Sequence, residues 1–312
     1  TNLQDLYLDN NELSGPIPKE IGQLTNLTEL FLSNNELSGE IPKDIGNLTN
    51  LETFSLENNK LGEIPTQIEN LTNLTELYLG DNQFSGPIPK EIGNLTNLET
   101  LSLFNNKLTG PIPDFIGNLT NLEQLALSNN KLTGRIPKFL ENLTKLKLLW
   151  LENNQLTGEI PESIRSRSNI NLIQSVPAPA AEEEEEAAAA AEEKLAYDLY
   201  TEERKNPESF DEWRRAREAV AEPVEEETHL IPPSEPVLEN IEIFERSYNI
   251  QDTTELNLHF ESLSGPIPKE IGQLTNLITI RLSWNNLLGP IPKEIGNLTN
   301  LTHLNLPSNK LT

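Results

Sequence analysis

Apolar residues recur along this chain in a fixed frame, LxxLxLxxNxLxGxIPxxIxxLTN. One run of the frame begins at Leu3, Leu27, Leu51, Leu74, Leu98, Leu122 and Leu146, in steps of 24 residues with a single step of 23. A second run begins at Thr253, Leu277 and Leu301, and the stretch GPIPKEIGQLTNL occurs letter for letter at Gly15 to Leu27 and at Gly265 to Leu277. The centre of each copy, as in Leu6, Tyr7 and Leu8, alternates apolar and variable positions, which predicts a short strand with its leucines facing inward. Copies stacked about 4.8 Å apart then form one parallel sheet. Isoleucines and leucines such as Ile17, Ile21 and Leu24 close each coil from the far side, so a coil buries its apolar residues mainly against its neighbours. One asparagine per coil (Asn11, Asn35, Asn59, Asn82, Asn106, Asn130, Asn154, Asn285, Asn309) falls where the chain turns inward. Its amide is placed to satisfy backbone groups that a buried turn leaves unpaired. The expected fold is an α/β solenoid.

The frame decays on both sides of a central segment. The seventh copy reads IRSRSN over Ile164 to Asn169, with Arg167 at a leucine position, so the first array, residues 1–175, is expected to end near Ser175. On the other side, VLENIEIFERSYNIQDTTELNL loses the frame before Leu256, and Glu261 stands at an asparagine position. Leu238, Ile241, Phe244 and Tyr248 lie near helical spacing, which reads as a starting cap for residues 238–312. Between them, residues 176–237 are a linker rich in Glu, Ala and Pro. A helix is expected from about Ala180 to Lys205, ended by Pro207. A second opens at a capping box of Ser209 and Glu212 and carries Phe210, Trp213, Ala216 and Val220 on one face.

These residues resemble the plant-type leucine-rich repeats of receptor-kinase ectodomains and polygalacturonase-inhibiting proteins, whose hallmark is LSGxIPxxIGxLxxL. The match covers about 235 of 312 residues. The resemblance implies 24-residue coils, a parallel sheet on a concave face and a convex side of 3-10, irregular or short helical turns. It also implies recognition of peptides, steroids, proteins or cell-wall polymers, and weakly favours an extracellular location. The paired cysteines of that family's terminal caps have no counterpart here, since the chain contains no cysteine.

Composition changes this picture in two respects. The formal charge of −26 is concentrated: residues 177 to 245 hold 22 acidic and 6 basic side chains, or −16, which leaves −10 for the rest. So acidic a surface repels phosphate backbones and anionic lipid, and argues against nucleic acid and membrane as partners. No apolar run approaches the 18 residues that span a bilayer, and no signal peptide is read in this copy. The absence of methionine suggests a start codon outside these residues. Without cysteine there is no thiolate metal site or catalytic thiol.

Nor does any motif carry catalysis: there is no phosphate-cradling glycine loop, HExxH or nucleophile elbow. No catalytic residue, cofactor or metal is expected, although His259 and His303 fall in strands near Glu255 and Glu261. The variable outward positions are the candidate binding surface. They give Tyr7, Phe31, Tyr78, Phe104, Trp150 and Trp284, with Phe260 beside the last, interleaved with Asp5, Glu29, Glu76, Glu99, Glu123 and Glu152. Rigid rings among carboxylates suit a peptide or protein ligand of basic character. On this reading Trp150→Ala and Tyr78→Ala weaken binding without lowering the melting temperature. Nine asparagines (Asn26, Asn47, Asn70, Asn73, Asn94, Asn118, Asn142, Asn297, Asn300) begin the N-x-T acceptor pattern for glycosylation, which the repeat itself also copies from coil to coil.

The leading expectation is therefore a non-enzymatic recognition scaffold. The alternative is a structural or self-assembling repeat protein. It draws on Thr1–Asn2 and on LPSNKLT at Leu306 to Thr312, each part of an unfinished coil. About ten residues like GPIPKEIGQL between Thr312 and Thr1 would restore the frame. Circular closure within one solenoid, a fragment of a longer array, head-to-tail stacking into open filaments, and one solenoid with a looped-out insertion are the accounts considered. The decayed flanks argue against the last, and Thr312 is expected close to Thr1 of the same chain or of a neighbour.

Overall fold

A computed structural model describes residues 2–167, 171–173 and 240–312, which belong to one compact unit. The second unit, Pro177–Pro236, falls outside the described residues, as do the expected Ala180–Lys205 helix, the Ser209/Glu212 capping box, the Phe210/Trp213 stripe, and Leu238.

Each copy of the frame makes one coil. Three residues of the alternating centre form a strand, and the inward residue of each, such as Leu30, Leu77, Leu101 and Leu125, is fully buried. The turn after the strand uses one residue per coil in the left-handed region. It is asparagine at six of the ten coils (Asn10, Asn34, Asn58, Asn105, Asn129, Asn153) and Asp81 at a seventh. Asn and Asp tolerate this conformation best among residues with a Cβ. A second left-handed turn follows at the frame's glycine, as at Gly110 with φ 80, where only glycine is unstrained. The IPxxI segment then enters a five-residue 3-10 helix behind a proline, as in Lys90–Asn94 after Pro89. Proline in this position removes no needed donor and pre-sets φ. The isoleucine of the 3-10 helix and the following leucine return to the core (Ile92 and Leu95, both fully buried).

The strands join into one parallel sheet of eleven. Its spatial order is Asn171–Ile173, Leu148–Trp150, Gln124–Ala126, Thr100–Ser102, Glu76–Tyr78, Thr53–Ser55, Glu29–Phe31, Asp5–Tyr7, His303–Asn305, Thr279–Arg281, Glu255–Asn257. The C-terminal coils thus precede the N-terminal ones. Asp5 pairs with His303, Leu6 with Leu304 and Tyr7 with Asn305, in the same register as Asp5–Tyr7 against Glu29–Phe31. The strand and ladder edges of the two unfinished coils pair with each other within the chain. The 3-10 layer is not continued there: Lys293–Asn297 and Lys19–Gln23 flank the joint, and Ile295, Ile21 and Leu24 are only partly buried.

The asparagine ladder runs across this joint unbroken. In mid-array, Asn106 Nδ2 donates to the carbonyls of Leu79 (3.0 Å), Leu103 (3.2 Å) and Phe104 (2.9 Å), while its Oδ1 accepts from the Phe84 N–H at 3.0 Å. Asn11 repeats the pattern between coils that lie at opposite ends of the sequence. Its Nδ2 donates to Leu8, Asp9 and Leu306 carbonyls, and its Oδ1 accepts from Leu311 N–H at 3.0 Å.

The starting end of the array differs from expectation. The starting cap is a β-hairpin, Asn240–Ile243 against Arg246–Asn249, and not a helix. Ile241 and Ile243 alternate onto one face, and Phe244 and Glu245 form the two-residue turn with φ 50 and 62, the left-handed pair that suits the strand twist. Ile243 is fully buried, with Ile241, Phe244 and Tyr248 packed against the core. Glu261 replaces the ladder asparagine because the first coil has no earlier coil's carbonyls to meet; its carboxylate reaches Arg246 of the hairpin at 2.9 Å. At the far end, the Arg167 guanidinium donates to the carbonyls of Leu143 (2.6 Å) and Glu141 (3.1 Å), and so covers a coil edge with hydrogen bonds. One further strand, Asn171–Ile173, still pairs with Leu148–Trp150 beyond it.

Candidate functional site

The sheet face presents three rows of outward side chains, one residue per coil in each. Asp5, Glu29, Thr53, Glu76, Thr100, Gln124 and Leu148 form one row, and Tyr7, Phe31, Ser55, Tyr78, Ser102, Ala126 and Trp150 the next, in strict strand register. Asp9, Ser33, Glu57, Gly80, Phe104, Ser128 and Glu152 follow as the chain leaves the strand.

The expected site residues separate by burial. Tyr7, Glu29, Glu76, Tyr78 and Glu123 are half-buried, Glu99 is exposed, and Trp284 is 53% exposed. Phe31, Phe104, Trp150 and Glu152 are 1%, 5%, 4% and 3% exposed, which corrects the expectation that the outward aromatics all stand in solvent. Phe104 shows the cause most directly. Its ring lies on the backbone of Gly80 in the preceding coil, where a methyl group would come within 2.3 Å of Phe104 Cε1. Phe31 stacks at a tilt on Tyr7, with ring centroids 5.1 Å apart. Trp150 pairs in register with the small Ala126 of the neighbouring strand. Truncation at Phe104 or Trp150 therefore removes packing, and Tyr78 is the cleaner probe of contact.

Charges on the face are organised in pairs. The Tyr7 hydroxyl donates to the Glu29 carboxylate, Lys147 pairs with Glu123, and Arg281 with Glu255. His303 Nε2 lies 3.0 Å from Asp5 Oδ2, a contact that crosses the joint between C-terminal and N-terminal coils. Of the two histidines expected in strands, His303 lies in one, but His259 lies in the turn after Glu255–Asn257; among the described residues no group of three or more ligating side chains occurs.

One group on this face escaped the sequence reading. Because Gly80 has no side chain, Glu57 reaches across its coil, and Ser102 Oγ donates to Glu57 Oε1 at 2.6 Å from two coils away. Burial pushes the Glu57 carboxyl up from 4.5 to about 7, and Asp81 adds to the shift, while the Ser102 and Gly80 hydrogen bonds oppose it. The signal that could have found it is the gap itself: a glycine in an otherwise filled row, with a carboxylate one coil before and a small hydroxyl one coil after.

All nine glycosylation candidates are exposed: Asn47, Asn70, Asn94, Asn118, Asn142 and Asn297 end 3-10 helices, and Asn26, Asn73 and Asn300 stand in the turn that leads to the next strand. They are not equivalent. The Nδ2 of Asn73 is bound to the Thr49 carbonyl at 2.9 Å, that of Asn300 to Thr275 at 3.2 Å, and that of Asn94 to Glu69 Oε2 at 3.0 Å.

Comparisons with known proteins agree with this geometry. Family models described as leucine-rich repeat region, leucine rich repeat and Leucine Rich Repeat match residues 2–125, 96–156 and 276–298. A search of curated proteins finds no match. Among solved structures, a plant peptide hormone receptor, RGFR1 in complex with RGF2, is similar at 29% identity and a TM-score of 0.51, covering 99% of this chain and 36% of that one. The Arabidopsis receptor kinase HAESA, in complex with the peptide hormone IDA and the co-receptor SERK1, is similar at 29% identity and a TM-score of 0.52, over 99% of this chain and 38% of that one. A TDR receptor gives 26% identity and 0.52, over 99% and 39%. The chain thus spans little more than a third of the length of the receptors it matches.

Proposed function

The chain belongs to the plant-type leucine-rich repeat family, and from that premise we propose that it is a non-enzymatic recognition scaffold that binds a peptide or protein on the concave, sheet-bearing face. The observation that carries this reading is the contrast between a constant interior and a variable exterior. Inward strand centres are leucine in all the coils but those of Phe54 and Ile280, while the outward rows change from each coil to the next and are held by eleven registered strands. A surface fixed this firmly loses little conformational entropy on binding, which favours affinity for an extended ligand. The contact set proposed is Tyr7, Tyr78 and Trp284 with the carboxylates Glu29, Glu76, Glu99 and Glu123, which select a basic partner. Phe31, Phe104, Trp150 and Glu152 support it from below. The similar receptors bind peptide hormones, which points the same way. Exposed acceptor asparagines fit a glycosylated extracellular protein, and among the described residues no helix is long and apolar enough to cross a membrane.

Selection from a random twelve-residue peptide library displayed on phage tests the reading. Peptides rich in Lys and Arg should be enriched on the wild-type chain and lost on the Tyr78→Ala, Glu76→Gln double variant, whose melting temperature should match the wild type. Enrichment without basic residues, or peptides retained by the double variant, would contradict it.

A further inference from the structure

Away from the sheet, the 3-10 helix of one coil packs directly on that of the next, and a glycine makes the approach possible. A methyl group on Gly22 would come within 2.3 Å of the Asp44 carbonyl oxygen, one on Gly46 within 2.7 Å of that of Gln67, and one on Gly272 within 2.5 Å of that of Glu294. The same packing fully buries the helix isoleucine and the leucine after it, as at Ile45, Leu48, Ile92 and Leu95. The two ends of the array are covered as well. Ile271 is fully buried where the strand Asn240–Ile243 lies against Lys269–Gln273, and Ile164 is fully buried at the far end.

The joint is the exception. Its strands pair in register, yet among the described residues no 3-10 helix lies between Lys293–Asn297 and Lys19–Gln23. Gly296, the glycine that would receive the next coil, meets nothing within 4 Å. Ile291 and Ile295 on one wall and Ile21 and Leu24 on the other are only partly buried. A short parallel ladder also breaks here: Lys310–Leu311 ends one piece of it and Ser14–Gly15 ends the other, and the two do not pair. The convex side therefore carries a notch with isoleucine walls, a glycine that admits backbone, and a strand edge on each side.

We propose that this notch binds an extended segment of a partner polypeptide with the pattern GxIPxxIxxL, which completes the interrupted coil. The strand edges select a polypeptide, because their N–H and C=O groups are matched by main chain, as in strand addition. The frame selects the pattern. Ten of its residues, GPIPKEIGQL in the copies at Gly15 to Leu24 and Gly265 to Leu274, fall between the frame positions of Thr312 and Thr1. The two isoleucines and the leucine of such a segment bury the four apolar side chains of the walls, and its prolines restrict the unbound peptide, which lowers the entropy lost on binding. The surface is separate from the sheet face, so the proposal stands or falls apart from the reading of that face.

Titration calorimetry and thermal melting of the whole chain with synthetic GPIPKEIGQL test it. The wild type should bind one peptide per chain, and saturating peptide should raise the melting temperature by several degrees, as a ligand of the folded state does. The same peptide with serine in place of both isoleucines should do neither. In Gly296→Leu the new side chain enters open space in the unbound protein, but it stands where Gly272 receives the backbone of Glu294 in the neighbouring coil. This variant should melt at the wild-type temperature or higher and bind the peptide about tenfold more weakly or worse. Tyr78→Ala, on the sheet face, should bind it as the wild type does. The proposal is overturned by absent binding, by equal binding of the serine peptide, by binding retained in Gly296→Leu, or by binding lost in Tyr78→Ala, which would place the peptide on the sheet. A fall of several degrees in the melting temperature of Gly296→Leu, which would mean that the glycine already meets a neighbour, overturns it too. So does a chain that dimerises with rising concentration and whose melting the peptide leaves unmoved, which assigns the notch to a second copy.

Discussion

Single side chains in this protein act mainly by what they do for a neighbouring coil. Asn106 satisfies three carbonyls and one N–H drawn from two coils, all in buried turns. Asn106→Ala leaves those groups unpaired. Each such loss costs about 1–3 kcal/mol before relaxation, so the variant should be about 3 kcal/mol less stable in denaturant unfolding. Asn106→Asp keeps the acceptor alone and should recover only part of the loss. A cost under about 1 kcal/mol for the alanine variant would mean that the ladder does not hold the coils. At this scale the sequence was highly legible for the interior, since leucine and asparagine positions are set by simple burial and hydrogen-bonding needs. It was less legible outside. Whether Phe104 is a contact or a packing residue depends on Gly80, which lies 24 residues away in sequence and one coil away in space.

At the scale of the element, the coil tolerates loss of its usual residues where another partner is supplied. The hairpin at Asn240–Asn249 was misjudged as helical because Ile241, Phe244 and Tyr248 fit a helical spacing as well as they fit an alternating one. The two left-handed turn residues decide between them, and neither Phe nor Glu announces that conformation. Glu57 is a second local arrangement, in which three consecutive coils cooperate. Its carboxyl is pushed up from 4.5 to about 7, so folding takes up a proton between those values. The stability it contributes is complete below pH 4.5 and is lost as pH rises through 7. Glu57→Gln should thus unfold at a higher temperature than the wild type above pH 7, with the difference vanishing toward pH 4. Parallel melting curves of the two proteins across that range would contradict the assignment. Ser102 was legible only as a small outward residue, because its partner stands 45 positions earlier.

For the molecule as a whole, the frame's periodicity gave the coil, and the unfinished coils at Thr1 and Thr312 posed the question of their partners. Periodicity has no means of ordering two separate arrays in space, because a frame-matched edge pairs equally well with its own chain or with another. The sheet settles the order by joining Asp5–Tyr7 to His303–Asn305, with ladder, strand and ion-pair contacts all continued across the joint. The proposed binding face depends on that joint, since its rows run through both arrays.

The joint is therefore the feature to test. The chain has no cysteine, so an Asp5→Cys, His303→Cys variant introduces a single pair at positions that are direct strand partners. Neighbouring strands lie about 4.8 Å apart, within the range of Cα separations that a disulfide spans. Mild oxidation of the dilute protein, followed by proteolysis and mass spectrometry under non-reducing conditions, should give a linked peptide from residues 5 and 303 within monomeric chains. Links found only between two chains, or free thiols at both positions after oxidation, would contradict the closed solenoid on which this account rests.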